Sequence, residues 1–256
     1  MPDNSNPSPL RFHIMQFDTL ASTNLYVVEN KELHQLPEGT VILAKQQTAG
    51  IGQSGNRWSS ETSKNLTFSI ILHPVFLPVD RQFYLHKVLS VALWETLSQL
   101  LPNNNHISIK WPNDIYIGRC KVCGMLVNNQ ISGNTYQLAV AGIGLNVNQT
   151  VFDPSLPNPT SLKAVVGKDF QLFDVLKKIL SGFEAWYNVL KKNSLQSIDE
   201  AYLAHLLNFG QPKTYTYRNR QREATIVGVD KFGRLQLHTA DGSTLLCDIK
   251  EIQYIF

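Results

Sequence analysis

Four short segments carry residue types that could do chemistry: a glycine loop able to cradle phosphate, two polar clusters and a C-x-x-C pair. Gly50-Ile51-Gly52-Gln53-Ser54-Gly55 has glycines at the spacing of a phosphate-cradling loop. Consecutive glycine N–H groups can form a nest for phosphate oxygens, and a flexible loop could close over a ligand and exclude water. A dinucleotide fingerprint would have to open a helix and meet an acid about 20 residues on. Here Asn56-Arg57-Trp58-Ser59-Ser60 does not read as a helix, Glu61 comes too early and Asp80 too late. A Walker loop is also excluded, because Asn56 and Arg57 stand where Lys and Ser or Thr should be. Lys110-Trp111-Pro112-Asn113-Asp114 packs a cation, an amide and a carboxylate together, although Asn113 and Asp114 could equally form a plain Asx turn. Gly142-Ile143-Gly144-Leu145-Asn146-Val147-Asn148 couples two glycines, which allow close approach of a ligand or backbone, to two amides. Cys120-Lys121-Val122-Cys123 matches C-x-x-C, yet Cys247 and the scattered histidines add no metal-ligand spacing, and a redox motif should open a helix. In a strand, alternation puts Lys121 and Cys123 on one face and Cys120 and Val122 on the other. Lys121 is then the informative residue.

The elements that must position these segments follow from periodicity. Strands are expected over Arg11–Phe17, Thr40–Gln47, Asn65–Leu72, Ile107–Ile117, Lys121–Asn129 and Tyr136–Asn146. Pro112 inside the fourth implies a bulge or an edge, and Ser132-Gly133-Asn134 signals a hairpin between the last two. Helices are expected over Thr23–Leu33, with Ser22 as N-cap, and over Asp80–Leu101, Asp174–Lys192 and Ser197–Leu207. Three prolines make Asp153–Pro159 a loop. After Gly210 five short strand candidates, separated by tight turn signals, read as a small SH3-like β-barrel. The division expected is a disordered lead-in over residues 1–10, a large α+β domain over 11–208 and the barrel over 209–256.

Composition narrows the class. With 256 residues, 43% of them apolar, the chain can bury a sizeable core. A net charge of +3 is too small a surplus to argue for nucleic acid. The longest apolar stretch, around Leu66–Leu77, falls far short of the roughly 20 residues of a membrane helix. Met1–Pro9 has neither a basic nor an apolar region of the secretory kind, and three cysteines are too few for a disulfide scaffold. A cytoplasmic protein with free thiols is expected.

In chain order the segments run Ser22-Thr23-Asn24, then Gln47…Gly50-x-Gly52-Gln53-x-Gly55-Asn56-x-Trp58, then Lys110–Asp114, then Lys121…Gly124, then Gly142-x-Gly144-x-Asn146. This combination closely resembles the biotin–protein ligases, from roughly Phe12 to the C-terminus. The Lys110–Asp114 segment, followed seven residues after Asp114 by Lys121, is its most specific part.

The resemblance implies a mixed-sheet catalytic domain of the biotin/lipoate ligase type, related to class II aminoacyl-tRNA synthetases, with an SH3-like C-terminal domain. Some family members carry an N-terminal winged helix and repress transcription; with about ten residues ahead of the first strand, a monofunctional ligase is expected. The implied reaction joins biotin to AMP at the expense of ATP, then passes biotin to a lysine of a biotin carboxyl carrier protein. Mg²⁺ would assist. Ser22, Thr23, Asn24, Gln47, Gly50, Gly52, Gln53 and Gly124 match the biotin side. Gly55, Asn56, Trp58, Asn113, Asp114 and Asn146 match the adenylate side, with Asp114 the candidate to orient Lys121 or Mg²⁺. Lys121 matches the family lysine near biotin's carboxylate and the α-phosphate, and is the expected catalytic residue. Lys110 as a surface charge and Trp58 as a loop anchor are the plainer readings of those two. One departure stands out: the family loop usually reads Gly-Arg-Gly, and Ile51 replaces the arginine, leaving Arg57 or Arg119 to compensate. A lipoate or octanoate transferase, a biotin-binding module of weak activity and a redox protein are the alternatives. The family includes monomers and homodimers.

Overall fold

The computed structural model describes residues 10–102 and 106–255. The expected disordered lead-in lies outside the described residues except for Leu10, which is buried in the core. The ordered chain therefore begins at least one residue earlier than its composition implies.

A seven-stranded mixed sheet is built from β1 (His13–Leu20), β2 (Thr40–Gln47), β3 (Leu66–Leu72), β4 (Ile107–Lys110), β5 (Asp114–Ile117), β6 (Cys120–Ser132) and β7 (Thr135–Leu145), in the order β1-β2-β3-β7-β6-β5-β4. Among the described strands of this sheet only β1 and β2 pair in parallel. Between them runs α1 (Thr23–Glu29), whose first turn is capped by Ser22: the Leu25 N–H donates to its Oγ at 3.4 Å. The helix expected to reach Leu33 ends at Glu29 and continues as a 3₁₀ turn over Lys31–Gln35.

Strand alternation gives the sheet two unlike faces. Phe68, Ile70 and Leu72 of β3 belong to the large core built with α2 (Phe83–Leu100), α4 (Leu172–Lys191) and α5 (Leu195–Ala204). On α4 the stripe Val175, Leu176, Ile179, Leu180, Phe183 and Tyr187 is buried, at the spacing of one helix face. Each such side chain contributes on the order of 1.5–3 kcal/mol when taken from water. A charged clamp ties α2 to α5: Lys87 Nζ lies 2.5 Å from Asp199 Oδ1, and Tyr84 Oη donates to Asp199 Oδ2 at 2.8 Å. The opposite face carries only the small cluster of Val27, Ile42, Ile71, Leu138 and Val140 under α1.

Two further expectations need correction, and one element was not foreseen. The strand expected over Ile107–Ile117 is a hairpin: β4 and β5 pair antiparallel, Lys110 opposite Asp114, and Pro112 sits in the turn, where its missing N–H costs no ladder bond. The helix expected over Ser197–Leu207 stops at Ala204, because Leu206 and Leu207 run beside Ile109 at the sheet edge, with Leu207 N donating to Ile109 O at 2.8 Å. A short helix, α3 (Leu162–Val166), capped by Ser161 Oγ, escaped the periodicity reading because five residues span little more than one turn.

Beyond Gly210, β8 (Pro212–Tyr217), β9 (Arg220–Val229), β10 (Leu235–Thr239), β11 (Thr244–Cys247) and β12 (Ile252–Tyr254) form an antiparallel sheet in the order β11-β10-β9-β8-β12, the small SH3-like unit expected.

Candidate active site

The helix-poor face of the sheet carries a cavity of about 230 Å³. Its floor is a transverse row of paired residues: Lys110, Asp114, Gly124 and Gly144 stand side by side across β4, β5, β6 and β7. The glycines leave space that other residues would fill. A Cβ on Gly144 would fall 2.3 Å from Trp58 Cε2, and one on Gly142 would fall 2.9 Å from Asn24 Nδ2. A Cβ on Gly124 would meet both Lys121 Nζ and Trp58 Cζ3 at 3.2 Å.

Lys121 and Gly124 share this face although they are an odd number of residues apart. A bulge explains it: Ile115 pairs with Cys123 and Tyr116 with Lys121, so Val122 is the extra residue. The simple alternation that put Lys121 and Cys123 on one face is therefore broken. Cys123 is buried in the core, and its burial pushes the thiol pKa well up. Lys121 Nζ sits 2.7 Å from Asp114 Oδ1 and 5.8 Å from the centre of the Trp58 ring. The carboxylate approach is that of an ion pair without hydrogen-bond alignment, so Asp114 Oδ1 keeps acceptor capacity.

One end of the cavity is framed by the start of α1 and the end of β2. Gln47 Oε1 accepts from Thr23 N at 2.7 Å, and the Thr23 and Ser69 hydroxyls lie 2.9 Å apart. Asn24 is a clasp: its Nδ2 donates to Val140 O at 3.2 Å and Leu126 O at 3.4 Å, and its Oδ1 accepts from Asn128. At the other end Asn113 grips β6 twice, donating from Nδ2 to Met125 O at 2.6 Å and accepting from Met125 N at 2.9 Å.

The glycine loop is a hairpin flap rather than an open nest. Gly52 N donates to Asn56 O at 2.7 Å and Trp58 N donates to Gly50 O at 2.9 Å, and Ile51 bridges Arg57. A 3₁₀ turn over Gln53–Gly55 closes it, with Ser54 at φ 58° and Gly55 at φ 85°. The Gly52 N–H is thus spent inside the flap. Gly50 is required there by steric space, since a Cβ would lie 2.4 Å from Trp58 O.

Of the residues expected at the site, Ser22, Thr23, Asn24, Gln47, Gly52, Gln53, Asn56, Trp58, Asn113, Asp114, Lys121 and Gly124 line the cavity. Gly50, Gly55 and Asn146 do not line it. Gly50 and Gly55 shape the flap from behind. Asn146 donates from Nδ2 to Thr160 O at 3.0 Å, and its Oδ1 is buried with no protein partner. Lys110 also lines the cavity, over the rings of Tyr116 and Tyr254, and desolvation there lowers its pKa. It is no mere surface charge. Arg57 lines the cavity too, whereas Arg119 lies exposed away from it.

Four lining residues escaped the motif reading: Met125 and Leu126 on β6, and Ile249 and Lys250. Ile249 and Lys250 come from the turn between β11 and β12, and Lys250 Nζ donates to Ser54 O at 3.1 Å, touching the flap. No local signal distinguishes Lys250 from any exposed lysine; only the docking of the C-terminal sheet brings it 196 residues back to the loop.

The mixed sheet with its appended antiparallel sheet is the two-part architecture of the biotin protein ligase structures. The chain belongs to the Biotin/lipoate A/B protein ligase family, whose model matches residues 16–146, and residues 209–255 match the biotin protein ligase C-terminal domain. It is 29% identical over 238 residues to the bifunctional ligase/repressor BirA of Bacillus subtilis (strain 168), covering 90% of this chain and 70% of that protein. It is 25% identical over 212 residues to the biotin–[acetyl-CoA-carboxylase] ligase of Paracoccus denitrificans, covering 80% of this chain and 86% of that one. Among solved structures, a biotin protein ligase from Aquifex aeolicus in complex with biotin and ATP superposes with a TM-score of 0.77 at 26% identity, covering 94% of this chain and 97% of that chain.

Proposed function

We propose that this chain activates biotin with ATP and transfers it to a lysine of a biotin carboxyl carrier domain. In the first step a biotin carboxylate oxygen attacks the α-phosphorus, the bond to the β-phosphate bridging oxygen breaks, and biotinyl-5′-AMP and pyrophosphate form. In the second, a neutral lysine amine of the carrier attacks the acyl carbon, AMP leaves, an amide forms and a proton is lost.

The observation that carries this reading is the charge balance of one cavity. Lys110, Lys121, Lys250 and Arg57 line it against a single carboxylate, Asp114. Two anions must meet in the adenylation step, and preorganised cations in a partly dry site are the most effective way to stabilise them. Lys121 is the catalytic residue of this reading: it stabilises charge developing between carboxylate and α-phosphate, with Asp114 orienting it. At the biotin end, Ser22, Thr23 and Gln47 offer hydroxyls and an amide to a polar ring; Gln47 Oε1 is already taken by Thr23 N, which leaves Nε2 as the donor. Asn24 acts mainly by holding α1 in place. Gly52 and Gln53 of the flap, and Gly124 between Lys121 and Trp58, complete the proposed biotin contacts, with Gly50 supporting the flap.

At the nucleotide end Trp58, Asn56, Asn113 and Asp114 receive the adenylate, with Gly55 allowing the flap to turn. Asn146 stays in the proposed set because its buried Oδ1 has no protein partner. Among the described residues no group of three or more His, Cys, Asp or Glu is assembled to hold a metal. Asp114 alone still suits Mg²⁺, which typically takes one or two carboxylates and completes its shell with phosphate oxygens and water. Bound there, Mg²⁺ would neutralise phosphate charge. We place the division between the catalytic and C-terminal modules at residues 208–209. No described helix is long and apolar enough to cross a membrane.

The test is acid-dependent ATP–pyrophosphate exchange with biotin, lipoate and octanoate in parallel. Exchange with biotin alone is the expected result. Exchange with lipoate or octanoate instead would move the chain to the other branch of the family, and biotin binding without exchange would make it a binding module.

A further inference from the structure

The turn that carries Asp114 is held from outside the catalytic sheet. Pro112, Asn113 and Asp114 line the cavity, whereas Trp111 does not. Trp111 is buried at 2% exposure, and its indole N–H, the only donor of that side chain, goes to Gly233 O at 2.9 Å. Gly233 lies in the turn between β9 and β10. That turn is braced from within: Asp230 Oδ1 accepts from Phe232 N at 3.0 Å and Arg234 N at 2.8 Å, and Asp230 Oδ2 accepts from Arg234 Nε at 2.8 Å. Its seat is equally defined. Gly233 has φ +90°, and a Cβ there would lie 2.5 Å from Cδ2 of Phe83, at the start of α2. Lys231 pairs with Asp80 at 3.0 Å just ahead of that helix.

We infer that Trp111, Gly233 and Phe83 are positioning residues: through the Gly233 carbonyl, the C-terminal sheet fixes the Trp111–Asn113 turn and so holds Asp114 against Lys121. The inference rests on the reading of Asp114 and Lys121 proposed above. The turn has few bonds of its own, since Pro112 has no N–H and the inner anchor is Asn113 on Met125. Gly233 is the outer anchor. Without it the turn can shift about Asn113, and Asp114, the first residue of β5, is left to its ladder partners Lys110 and Gly124 alone. Small misplacements of charged groups at a reacting centre cost rate steeply. Ser22, Thr23 and Gln47 stand on α1 and β2, away from this turn, so the biotin end should not respond.

The experiment uses Trp111→Phe in the full chain, which keeps an aromatic ring and removes the N–H donor. Expected is an about tenfold fall in kcat/KM for ATP in biotin-dependent exchange, as for a lost buried hydrogen bond that leaves its acceptor unpaired. Biotin affinity measured by calorimetry should stay within about twofold, because its contacts lie on other elements. Combining Trp111→Phe with Phe83→Leu should give no larger loss than the worse single change, since both release one wedge. Unchanged ATP kinetics, equal losses at the biotin and ATP ends, or additive losses in the double variant would each overturn the inference. Hydrogen exchange of the Trp111 indole N–H in the wild-type chain separates it from the ligase reading. Strong protection is expected whatever the substrate, and exchange at the rate of a free indole sinks the latch even in an active ligase.

Discussion

The two faces of the seven-stranded sheet use the same strands for opposite purposes. On β3, Phe68 and Ile70 enter the large core while Thr67 and Ser69 lie on the opposite face, where the Ser69 hydroxyl meets that of Thr23 at the cavity's edge. On β7, Leu145 and Ala141 enter the core while Gly144 and Gly142 clear the floor. The core face is filled by long apolar side chains under three helices, and its residues contribute by volume. The cavity face is kept small and polar under one short helix, and its residues contribute by what they leave open. A residue two positions away along a strand keeps its face; a residue one position away changes it. Stability and chemistry are thereby separated within single strands.

That separation can be broken residue by residue. Lys121→Ala should lower biotin-dependent pyrophosphate exchange on the order of 10²–10³-fold, the size of losing a preorganised charge, with the melting midpoint nearly unchanged. Normal exchange by this variant would remove Lys121 from its role. On the opposite face, Phe68→Ala should cost about 3–5 kcal/mol in urea unfolding, with KM values of the folded fraction unaltered; a selective loss of ATP binding would show that the two faces are not independent. Gly144→Ala puts a methyl into the space of the Trp58 ring and should raise KM for ATP about tenfold while biotin affinity holds.

A fourth test concerns the core side and pH. Burial holds the His86 imidazole at a pKa of about 4, below its ordinary 6.5. The unfolded chain therefore binds a proton in that window that the native chain does not, and stability falls as pH drops from about 6.5 toward 4. His86→Leu should flatten this part of a melting-temperature profile while leaving the exchange rate at neutral pH alone; an unchanged slope would show that other groups set it. Smallest of all, Ile51→Arg should slow escape of biotinyl-AMP a few-fold by adding a cation to the flap. Equal release rates would mean that Arg57, already in the cavity wall, does that work.

Most elements were legible because their signals are local. Thr40–Gln47 is β-branched and apolar and forms β2 as read; Ser22 caps α1; Ser132-Gly133-Asn134 turns β6 into β7. The errors cluster where a distant partner intervened. Ile107–Ile117 reads as one strand interrupted at Pro112, yet Asn113 is gripped by Met125 and the segment folds back on itself. His205–Leu207 could have extended a helix, but Ile109 offered them a sheet edge. The glycine loop has the composition of a nest, yet it closed into a hairpin in which the Gly52 N–H donates to Asn56 O and the Gly50 carbonyl accepts from Trp58 N.

The sequence by itself determined most of the strands and the longer helices, the change of pattern near residue 210, and the polar segments that could meet at a site, since periodicity, capping and turn chemistry act within a few residues. Only the tertiary structure decided which of them meet. The bulge at Val122 brings Lys121 and Gly124 onto one face. The glycine rows fit Trp58 and Asn24 into the floor. The docking of the last sheet delivers Lys250 to the flap and Gly233 to Trp111. Those contacts join positions far apart in the chain through steric fit and hydrogen bonding, and neither leaves a pattern that can be read along a single strand of sequence.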